Sequence, residues 1–376
     1  MTPSLRNRDA LPDPRVPHFR RASPPLPTRE SDTTARESDT LLRESDTTAP
    51  ESDIVLPFTS VVVPSIFARG EQLLGSVEAL AALDHPAFEI VVVDNRAVPE
   101  TADWAPLLAL PGVRVISEPR RGISAARNAG VRAARGEIIA FTDDDVRVDR
   151  TWLRALTGRF VTEPGVAAVL GLVVAGELET AAQLAFEDYD PLVGSQFTPS
   201  TRALDDAQAP VWSPRRYRVA GRWLYQLGGV MGANMAFRAA ALAAVGEFDT
   251  ALGTGTRTRG GEDLDIVTRL LFAGHRVGYE PSALLWHTHR RTDAELRTQM
   301  YGYGTGFTAM LAAAVRREPR HLVGLALAVL GVVAGRFRRS AQAGTPDLLP
   351  ADLRALERRG QLAGPFTYVA ALRGRR

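Results

Sequence analysis

The stretch that decides the fold reads Glu137-Ile138-Ile139-Ala140-Phe141-Thr142-Asp143-Asp144-Asp145. The apolar run predicts a short buried strand, and three carboxylates follow it where open α/β sheets bind their ligands. Neighbouring carboxylates repel one another, which raises their pKa values unless a cation joins them. Mg²⁺ or Mn²⁺ would join them through oxygen ligands, and a phosphate is the usual further partner of such an ion. The same residues fit a metal–diphosphate site and an Asp-rich turn before a helix near Trp152 equally well.

The composition excludes several classes of chemistry. All 45 basic residues of the 376-residue chain are arginine, so neither a Schiff-base lysine nor a P-loop lysine is present. The chain has no cysteine, which excludes disulfides, thiolate catalysis and zinc–thiolate sites. A net charge of +2 produces no strong field toward nucleic acid, and we expect no nucleic-acid partner.

The chain divides by composition into three parts. Residues 1–56 are rich in Pro, Arg, Ser, Thr and Asp, which predicts a disordered low-complexity tail. Within this tail a heptapeptide repeat begins at Arg29, Arg36 and Arg43, but it lacks the apolar a and d positions of a coiled coil. Residues 57–310 carry the patterns of a folded domain, and residues 311–376 predict a helical, Arg-rich C-terminal extension.

The longest apolar stretch, residues 322–334, lies in this extension. It is shorter than the roughly 20 residues that a membrane-spanning helix needs, and arginines flank it. Two interpretations stay open: a helix that lies on an anionic membrane surface, or a packed helix pair or oligomer contact. The N-terminus lacks the apolar core of a secretory signal, so we expect a cytoplasmic protein. The first interpretation would make it peripheral on the inner face of the cell membrane.

Apolar runs alternate with helical patterns through the first half of the domain. Four runs predict strands, at residues 59–64, 88–95, 113–116 and 137–141. Strands of this kind, with helices between them, predict an α/β domain with a mainly parallel sheet covered on both faces. Ser124 is the predicted N-cap of the helix before the acidic stretch. No Gly-x-Gly-x-x-Gly follows the first strand, so we expect a nucleotide-binding half-domain without a dinucleotide site.

The second half is less regular. We expect a helix at residues 152–160, a strand at 166–174, a long loop at 188–218, a Gly-rich stretch at 228–237, a helix at 239–245, a mobile loop at 252–261, a helix that opens at Glu262, and a short strand at 277–279. His287 and His289 follow. Tyr301 and Tyr303 lie among glycines, a pattern that fits an acceptor groove and a helix–helix junction equally well.

Four motifs in order resemble a known family. They are Ser60-Val61-Val62-Val63-Pro64, Val93-Asp94-Asn95, Ala126-Arg127-Asn128-Ala129-Gly130 before the acidic stretch, and Gly261-Glu262-Asp263 about 120 residues after it. Each motif is common alone, but their order and spacing over residues 59–310 resemble the family 2 glycosyltransferases of the GT-A fold. The resemblance implies a GT-A type single domain with a nucleotide-binding central sheet.

The resemblance also implies a reaction and its partners. One sugar would pass, with inversion, from a nucleotide-diphosphate sugar to a hydroxyl acceptor in a glycan, a lipid-linked molecule or a small molecule. A UDP-sugar is favoured, and Mn²⁺ or Mg²⁺ would stabilise the departing nucleotide as a Lewis acid. The implied metal ligands are Asp143, Asp145 and His287. The implied donor-binding residues are Pro64, Ser65, Asp94, Asn95, Arg127, Asp143 and Asp144.

Simpler interpretations remain beside these roles. Asp94 also fits a turn-forming residue, Arg127 a solvated helix residue, and His287 and His289 packed or surface histidines. The general base that an inverting displacement needs is assigned by resemblance to Asp263, with Glu262 as runner-up. Both acids also fit the start of a helix, where carboxylates interact favourably with the helix dipole.

The chain departs from the family after its first strand. Relatives carry Pro-Thr-Tyr-Asn-Arg, whereas this chain reads Pro64-Ser65-Ile66-Phe67-Ala68-Arg69, so the contacts to the nucleobase are less defined than the fold. Two other classes of protein are weaker alternatives. A sugar-nucleotide nucleotidyltransferase would carry a basic, Gly-rich phosphate loop here, and a non-catalytic nucleotide-sugar-binding protein would tolerate loss of the acids. Processive synthases carry spanning helices and a Gln-x-x-Arg-Trp motif, which we do not find in this sequence.

Overall fold

The computed structural model describes residues 55–189, 197–204, 230–326 and 350–374. The predicted tail, except for its last two residues, lies outside this part of the chain. So do most of the loop predicted at 188–218 and most of the apolar stretch at 322–334. None of the helices in the described residues is long and apolar enough to cross a membrane.

The first half alternates strands and helices as the apolar pattern predicts. Its elements are β1 (Thr59–Ser65), α1 (Gly70–Ala81), β2 (Phe88–Asp94), a 3₁₀ turn (Thr101–Trp104) leading into α2 (Ala105–Leu108), β3 (Val113–Ser117), α3 (Ile123–Ala133) and β4 (Ile138–Phe141). The prediction that Ser124 caps α3 is wrong. Gly122, at φ +121°, occupies the N-cap position, and the Ser124 hydroxyl donates instead to the carbonyl of Leu252.

The second half contains more strands than the sequence predicts. Its elements are β5 (Val146–Val148), α4 (Trp152–Thr162), β6 (Val166–Ala175), α5 (Ala181–Tyr189), β7 (Ser200–Arg202), β8 (Met235–Arg238), α6 (Ala239–Val245), α7 (Glu262–Phe272), β9 (Arg276–His287), α8 (Asp293–Arg317) and α9 (Ala351–Arg373). The short strand predicted at 277–279 is in fact the 12-residue β9. Its pairing partner β6 supplies the hydrogen bonds that extend it through a bulge.

Nine strands of the described residues form one sheet. Their order is β3-β2-β1-β4-β8-β6-β9-β5, with β7 paired to β9. The longest ladders, β1–β2 and β6–β9, are parallel, whereas each antiparallel ladder joins only three or four residue pairs. The prediction of a mainly parallel sheet is therefore confirmed. Alternate residues of β1 and β2 enter two separate apolar cores, because successive side chains of a strand point to opposite faces.

The topology brings distant parts of the chain to one edge of the sheet. β8 is antiparallel to both β4 and β6, and β6 is parallel to β9, so β4 and β9 run in the same direction. The carboxyl ends of β1, β2, β4 and β9 therefore lie on the same side. The short strand β5 then pairs Val146 with His287, which places the end of the acidic stretch beside the end of β9.

The last two helices of the structure pack closely through glycine. A Cβ atom at Gly304 would overlap the carbonyl of Glu357, and one at Gly360 would overlap the carbonyl of Tyr301. Because only glycine permits this approach, the Gly-rich run around Tyr301 is a helix–helix junction. The domain boundary predicted at residue 310 falls within α8.

Candidate metal and diphosphate site

Three side chains that could bind a metal converge at the carboxyl edge of the sheet. Asp143 follows β4, Asp145 precedes β5, and His287 ends β9. One ligand atom from each lies within 4.8 Å of the other two. The His287 Nε2 atom is 3.4 Å from Asp145 Oδ1, a closeness that follows from the pairing of β5 with β9. The structure thus gathers the three residues that the resemblance implies as ligands.

The chemistry of this group suits a divalent cation. Burial raises the pKa of Asp143 to about 7, Arg127 opposes the rise, and the neighbouring carboxylates add to it. A cation between the carboxylates would relieve the repulsion and keep them charged. Burial also lowers the pKa of His287, which keeps its ring in the neutral form that binds metals. Two carboxylates and one imidazole could hold a divalent cation such as Mn²⁺ or Mg²⁺.

Asp144 lies outside this group of ligands. Its Oδ2 atom accepts a hydrogen bond of 2.5 Å from Ser65 Oγ, and burial raises its pKa. The Ser76 hydroxyl of α1 donates to the backbone carbonyls of Asp144 and Val146. The end of β1 and helix α1 therefore hold the acidic stretch from two sides. In this conformation the carboxylates of Asp143 and Asp145 lie close together.

The two polar residues at the end of β2, Asp94 and Asn95, have their hydrogen-bonding groups engaged within the protein. Asp94 is fully buried and accepts hydrogen bonds from Arg96 and from Trp104 Nε1. Burial favours a higher pKa for Asp94, but these hydrogen bonds hold it below its ordinary value. The Asn95 side chain donates to the carbonyls of Glu118 and Arg120 and accepts from the Gly122 backbone. Asn95 thereby fixes the loop that leads into α3.

Arg127 is a buried residue, with 1% of its side chain exposed. Its Nη1 atom lies 2.8 Å from Glu262 Oε1, and Nη2 donates to the carbonyl of Gly232 and lies 3.7 Å from Asp143 Oδ1. A Cβ atom at position 232 would collide with the guanidinium, so Gly232 permits this contact. The interpretation of Arg127 as a solvated helix residue is wrong, because its side chain is buried. It lies between Asp143 of the acidic stretch and Glu262 at the start of α7.

The two candidate base residues have different surroundings. Glu262 is buried against Arg127, and burial together with Asp263 raises its pKa to about 7. Asp263 is half-buried and accepts hydrogen bonds from the backbone N–H groups of Gly232 and Leu264. It is also close enough to Asp143 to raise the pKa of that residue. Glu262 is thus tied to an arginine, whereas Asp263 is held by backbone groups at the side of the site.

The loop before α7 is the segment predicted to be mobile, at residues 252–261. The Thr258 hydroxyl is buried and donates to the carbonyl of Ala251, and the Thr256 hydroxyl donates to that of Gly253. The Ile123 backbone N–H at the start of α3 donates to the carbonyl of Thr254. These contacts place the loop against α3, and its mobility stays a prediction.

Three further polar residues near the site contact other partners. The Nε2 atom of the buried His289 lies 3.1 Å from Glu187 on α5. Arg291 pairs with Glu177 and Glu179 near the surface. Asp265, the third acid of α7, pairs with Arg269 and with Arg317 of α8. None of these contacts involves the three clustered ligand residues.

Sequence reasoning missed one charged residue of the site. Arg69, which precedes α1, places its Nη1 atom 3.0 Å from Asp145 Oδ2. The signal was present in the sequence, because Arg69 ends the run in which the chain departs from the family. The contact could not be predicted because Arg69 is far from the acidic stretch along the chain. It forms because α1 packs beside β5 through Ser76.

The fold and this site together define a class of protein, an α/β protein whose mainly parallel sheet carries an acidic candidate metal site at its carboxyl edge. Comparison with known families identifies it further. Residues 60–246, about half of the chain, match the model described as glycosyl transferase family 2. The chain belongs to this family, and its α/β fold of GT-A type is confirmed.

Characterised relatives match parts of the chain. The pre-mycofactocin glycosyltransferase of Mycobacterium tuberculosis is 32% identical over 203 residues, which are 54% of this chain and 37% of that protein. The succinoglycan biosynthesis protein ExoM of Rhizobium meliloti is 28% identical over 223 residues, 57% of this chain and 62% of the relative. The chain thus spans less than two thirds of the length of these relatives.

Some solved structures are similar to this chain at lower sequence identity. A mannosyltransferase from Pyrobaculum calidifontis, solved with GDP-mannose and Mn²⁺, is 19% identical, with a TM-score of 0.47. The likeness covers 85% of this chain and 87% of that one.

Proposed function

We propose that this protein transfers a single sugar, with inversion, from a nucleotide-diphosphate sugar to a hydroxyl acceptor, in a reaction that depends on Mn²⁺ or Mg²⁺. The observation that carries the proposal is the convergence of Asp143, Asp145 and His287 at the carboxyl edge of a nucleotide-binding sheet. Membership of glycosyl transferase family 2 supports the same activity. A UDP-sugar is the favoured donor.

The three converging residues would hold the metal. When bound, the ion supplies a positive charge that stabilises the diphosphate as it leaves. Arg127 keeps Asp143 in place through a charge contact of 3.7 Å and aligns the acidic stretch with α7. Ser65 fixes Asp144 beside them through its hydroxyl.

Asp263 would act as the general base. The base must take the proton of the acceptor hydroxyl as its oxygen attacks the sugar, so it must be accessible and charged. Asp263 is half-buried, and two backbone N–H groups stabilise its carboxylate. Glu262 is buried and engaged with Arg127, which makes it a positioning residue for the site.

The acceptor and the cellular location belong to the proposal as well. We place the protein in the cytoplasm, on the inner face of the cell membrane, where the arginines around residues 322–334 would contact anionic lipid. The names of the relatives support acceptors that are glycans or small molecules, since one is a pre-mycofactocin glycosyltransferase and another a succinoglycan biosynthesis protein. Co-sedimentation with vesicles that contain 30% anionic lipid, roughly the charge of a cytoplasmic leaflet, tests the location; equal recovery with neutral vesicles would contradict it.

A panel of nucleotide sugars tests the activity. UDP-, GDP- and dTDP-sugars are added with Mn²⁺, with Mg²⁺ or with EDTA, and thermal stabilisation and slow donor hydrolysis are measured. We expect UDP-sugars with Mn²⁺ to raise the melting temperature most, because a ligand that binds only the folded protein stabilises it. The proposal fails if no sugar nucleotide stabilises the protein or is hydrolysed, with or without metal.

A further inference from the structure

Arg69 is an accessible cation at the site. Its side chain is 42% exposed, whereas that of the nearby Arg127 is 1% exposed and bonded to Glu262 and Gly232. A buried arginine with this many partners cannot leave without stranding charges. The Arg69 Nη1 atom also donates a long, exposed hydrogen bond of 3.3 Å to Gln72 Oε1. An exposed arginine held by one ion pair and one such hydrogen bond can be displaced at little cost.

The Arg69 backbone is attached to the same elements that fix the acidic stretch. Its carbonyl accepts the first hydrogen bond of α1, from the Leu73 backbone N–H at 2.9 Å. One turn later, Ser76 of this helix donates to the carbonyls of Asp144 and Val146. The base of the Arg69 side chain is therefore held beside Asp145, while its long, exposed end can move.

The contact of Arg69 involves a carboxylate that the metal would use. The two oxygens of Asp145 have different neighbours: Oδ2 lies 3.0 Å from Arg69 Nη1, and Oδ1 lies 3.4 Å from His287 Nε2. The guanidinium also contributes electrostatically at Asp144 and at His287. A divalent cation held by Asp145 and His287 would bring two positive charges close to the guanidinium, and the repulsion would drive Arg69 away.

A displaced Arg69 would remain near a group that it can bind. Its backbone anchor keeps it within reach of the site at which the nucleotide diphosphate of the proposed function would bind. A guanidinium binds phosphate oxygens through paired hydrogen bonds, which are stronger than an exposed ion pair. The exchange of one partner for the other would couple metal binding to donor binding.

We infer that Arg69 has two alternating partners, serving as the counter-ion of Asp145 before the metal binds and as a ligand of the donor diphosphate afterwards. The inference rests on the proposed metal–diphosphate site. It makes Arg69 a donor-binding residue that also weakens the affinity for free metal, so that metal and nucleotide bind more favourably together than metal alone.

The inference predicts opposite effects of one substitution on two affinities. In Arg69→Gln, the positive charge beside Asp145 is removed. The affinity for Mn²⁺ alone should therefore rise about threefold, the size expected for loss of an exposed ion pair. The same change should weaken UDP binding in saturating Mn²⁺ about tenfold, because a charge-assisted hydrogen bond is lost. Arg69→Lys keeps the charge, so both affinities should stay close to those of the wild type. Isothermal titration of the full chain with MnCl₂, and then with UDP, measures each affinity.

A matched control is available at Arg154. This arginine is 49% exposed and pairs with Asp84, so Arg154→Gln removes a comparable ion pair elsewhere and should change neither affinity. If Arg69→Gln leaves both affinities unchanged, or weakens both, while the wild type binds Mn²⁺ and UDP, the inference on Arg69 is overturned and the proposed function stands. If neither wild type nor variant binds Mn²⁺ with or without UDP, the proposed function fails and the inference fails with it.

Discussion

At the scale of single residues, Asp263 and Glu262 are neighbours with separable roles. The half-buried Asp263 is stabilised by backbone N–H groups, whereas Glu262 is buried against Arg127. We expect Asp263→Asn to keep donor affinity within about twofold and to reduce sugar transfer by at least ~100-fold, as for loss of a general base. Donor hydrolysis, in which water takes the place of the acceptor, and donor titration measure the two quantities. Near-normal transfer by this variant would show that Asp263 is not the base.

Glu262→Gln should behave differently from Asp263→Asn. Loss of the carboxylate leaves the Arg127 guanidinium buried without its main charge partner, which costs several kcal/mol. We therefore expect a lower melting temperature together with weaker donor binding. A variant that keeps wild-type stability and loses only transfer would instead favour Glu262 as the catalytic acid–base group.

Asp145 is one of the three proposed ligands of the metal. It contributes one oxygen to the cluster of ligand atoms and lies beside His287. We expect Asp145→Asn to abolish Mn²⁺-dependent stabilisation by nucleotide sugars, since a neutral amide is a poor replacement for a carboxylate ligand. The exposed Asp84, paired with Arg154, provides the control, and Asp84→Asn should respond to donor and Mn²⁺ as the wild type does. Unchanged metal dependence in Asp145→Asn would exclude this residue as a ligand.

At the scale of elements, α8 is positioned by glycines that face two neighbours. Gly306 admits the backbone of Gly260 and Gly261, which lead into α7, and Gly304 admits the backbone of α9. The helix that carries Asp263 is thereby held against α8 with almost no side chain between them.

Alanine substitutions test this packing. Gly304→Ala would force a Cβ atom into the Glu357 carbonyl, and we expect it to lower the free energy of unfolding by about 1–3 kcal/mol. The interior of α1 provides the control at Gly75, where an added Cβ would meet no atom within 4 Å. Gly75→Ala should stabilise the protein by about 0.5–1 kcal/mol through helix propensity alone. Urea unfolding measures both variants, and equal effects at the two positions would contradict the packing argument.

The helices and strands of the first half could be predicted because the apolar pattern of the sequence agrees there with the burial of each element in the fold. The strands that lead to Asp94 and Asp143 are continuous apolar runs, and such runs are typical of buried parallel strands. β8 was missed because it begins inside the Gly-rich stretch at residues 228–237 and is a strand only through pairing with β4 and β6. The Ser124 prediction failed for a related reason, since a carbonyl distant in the sequence competes for the hydroxyl.

In the candidate site, too, motifs within a short stretch of sequence could be predicted, whereas contacts between distant parts of the chain could not. The motif containing Asp143 and Asp145 could be identified from the sequence, and the structure places His287 beside it. The contact of Arg69 with Asp145 could not be predicted from spacing, because it depends on how α1 lies beside β5. The association of His289 with Glu187 likewise depends on α5, a helix that the sequence pattern did not indicate.

At the scale of the whole molecule, a buried histidine links stability to pH. His85 joins the segment before β2 to α4, since its Nε2 atom lies 3.2 Å from Thr157 Oγ1. Burial, with a contribution from Arg154, lowers the pKa of His85 to about 4. The unfolded chain, with a histidine pKa of about 6.5, therefore binds more protons than the native protein between these values, and stability falls as the pH falls through this window.

His85→Asn tests this linkage. The asparagine keeps an acceptor for the Ala87 backbone N–H, which donates to Nδ1 in the wild type, but it does not titrate. We expect the wild type to lose about 2 kcal/mol more stability than the variant between pH 7.5 and pH 5. Urea unfolding of both proteins at the two pH values measures the difference. Parallel losses would show that His85 does not contribute.

The pairing of β5 with β9 has a consequence for the time at which the protein becomes active. Asp143 and Asp145 leave the ribosome well before His287, and the strand that joins them in register is only three residues long. The parallel strands of the first half can assemble while the rest of the chain is still being made. The proposed metal site cannot, because His287 belongs to β9, the last strand in the described part of the chain. A nascent chain halted before β9 would therefore have most of the sheet but would lack the third of the proposed metal ligands.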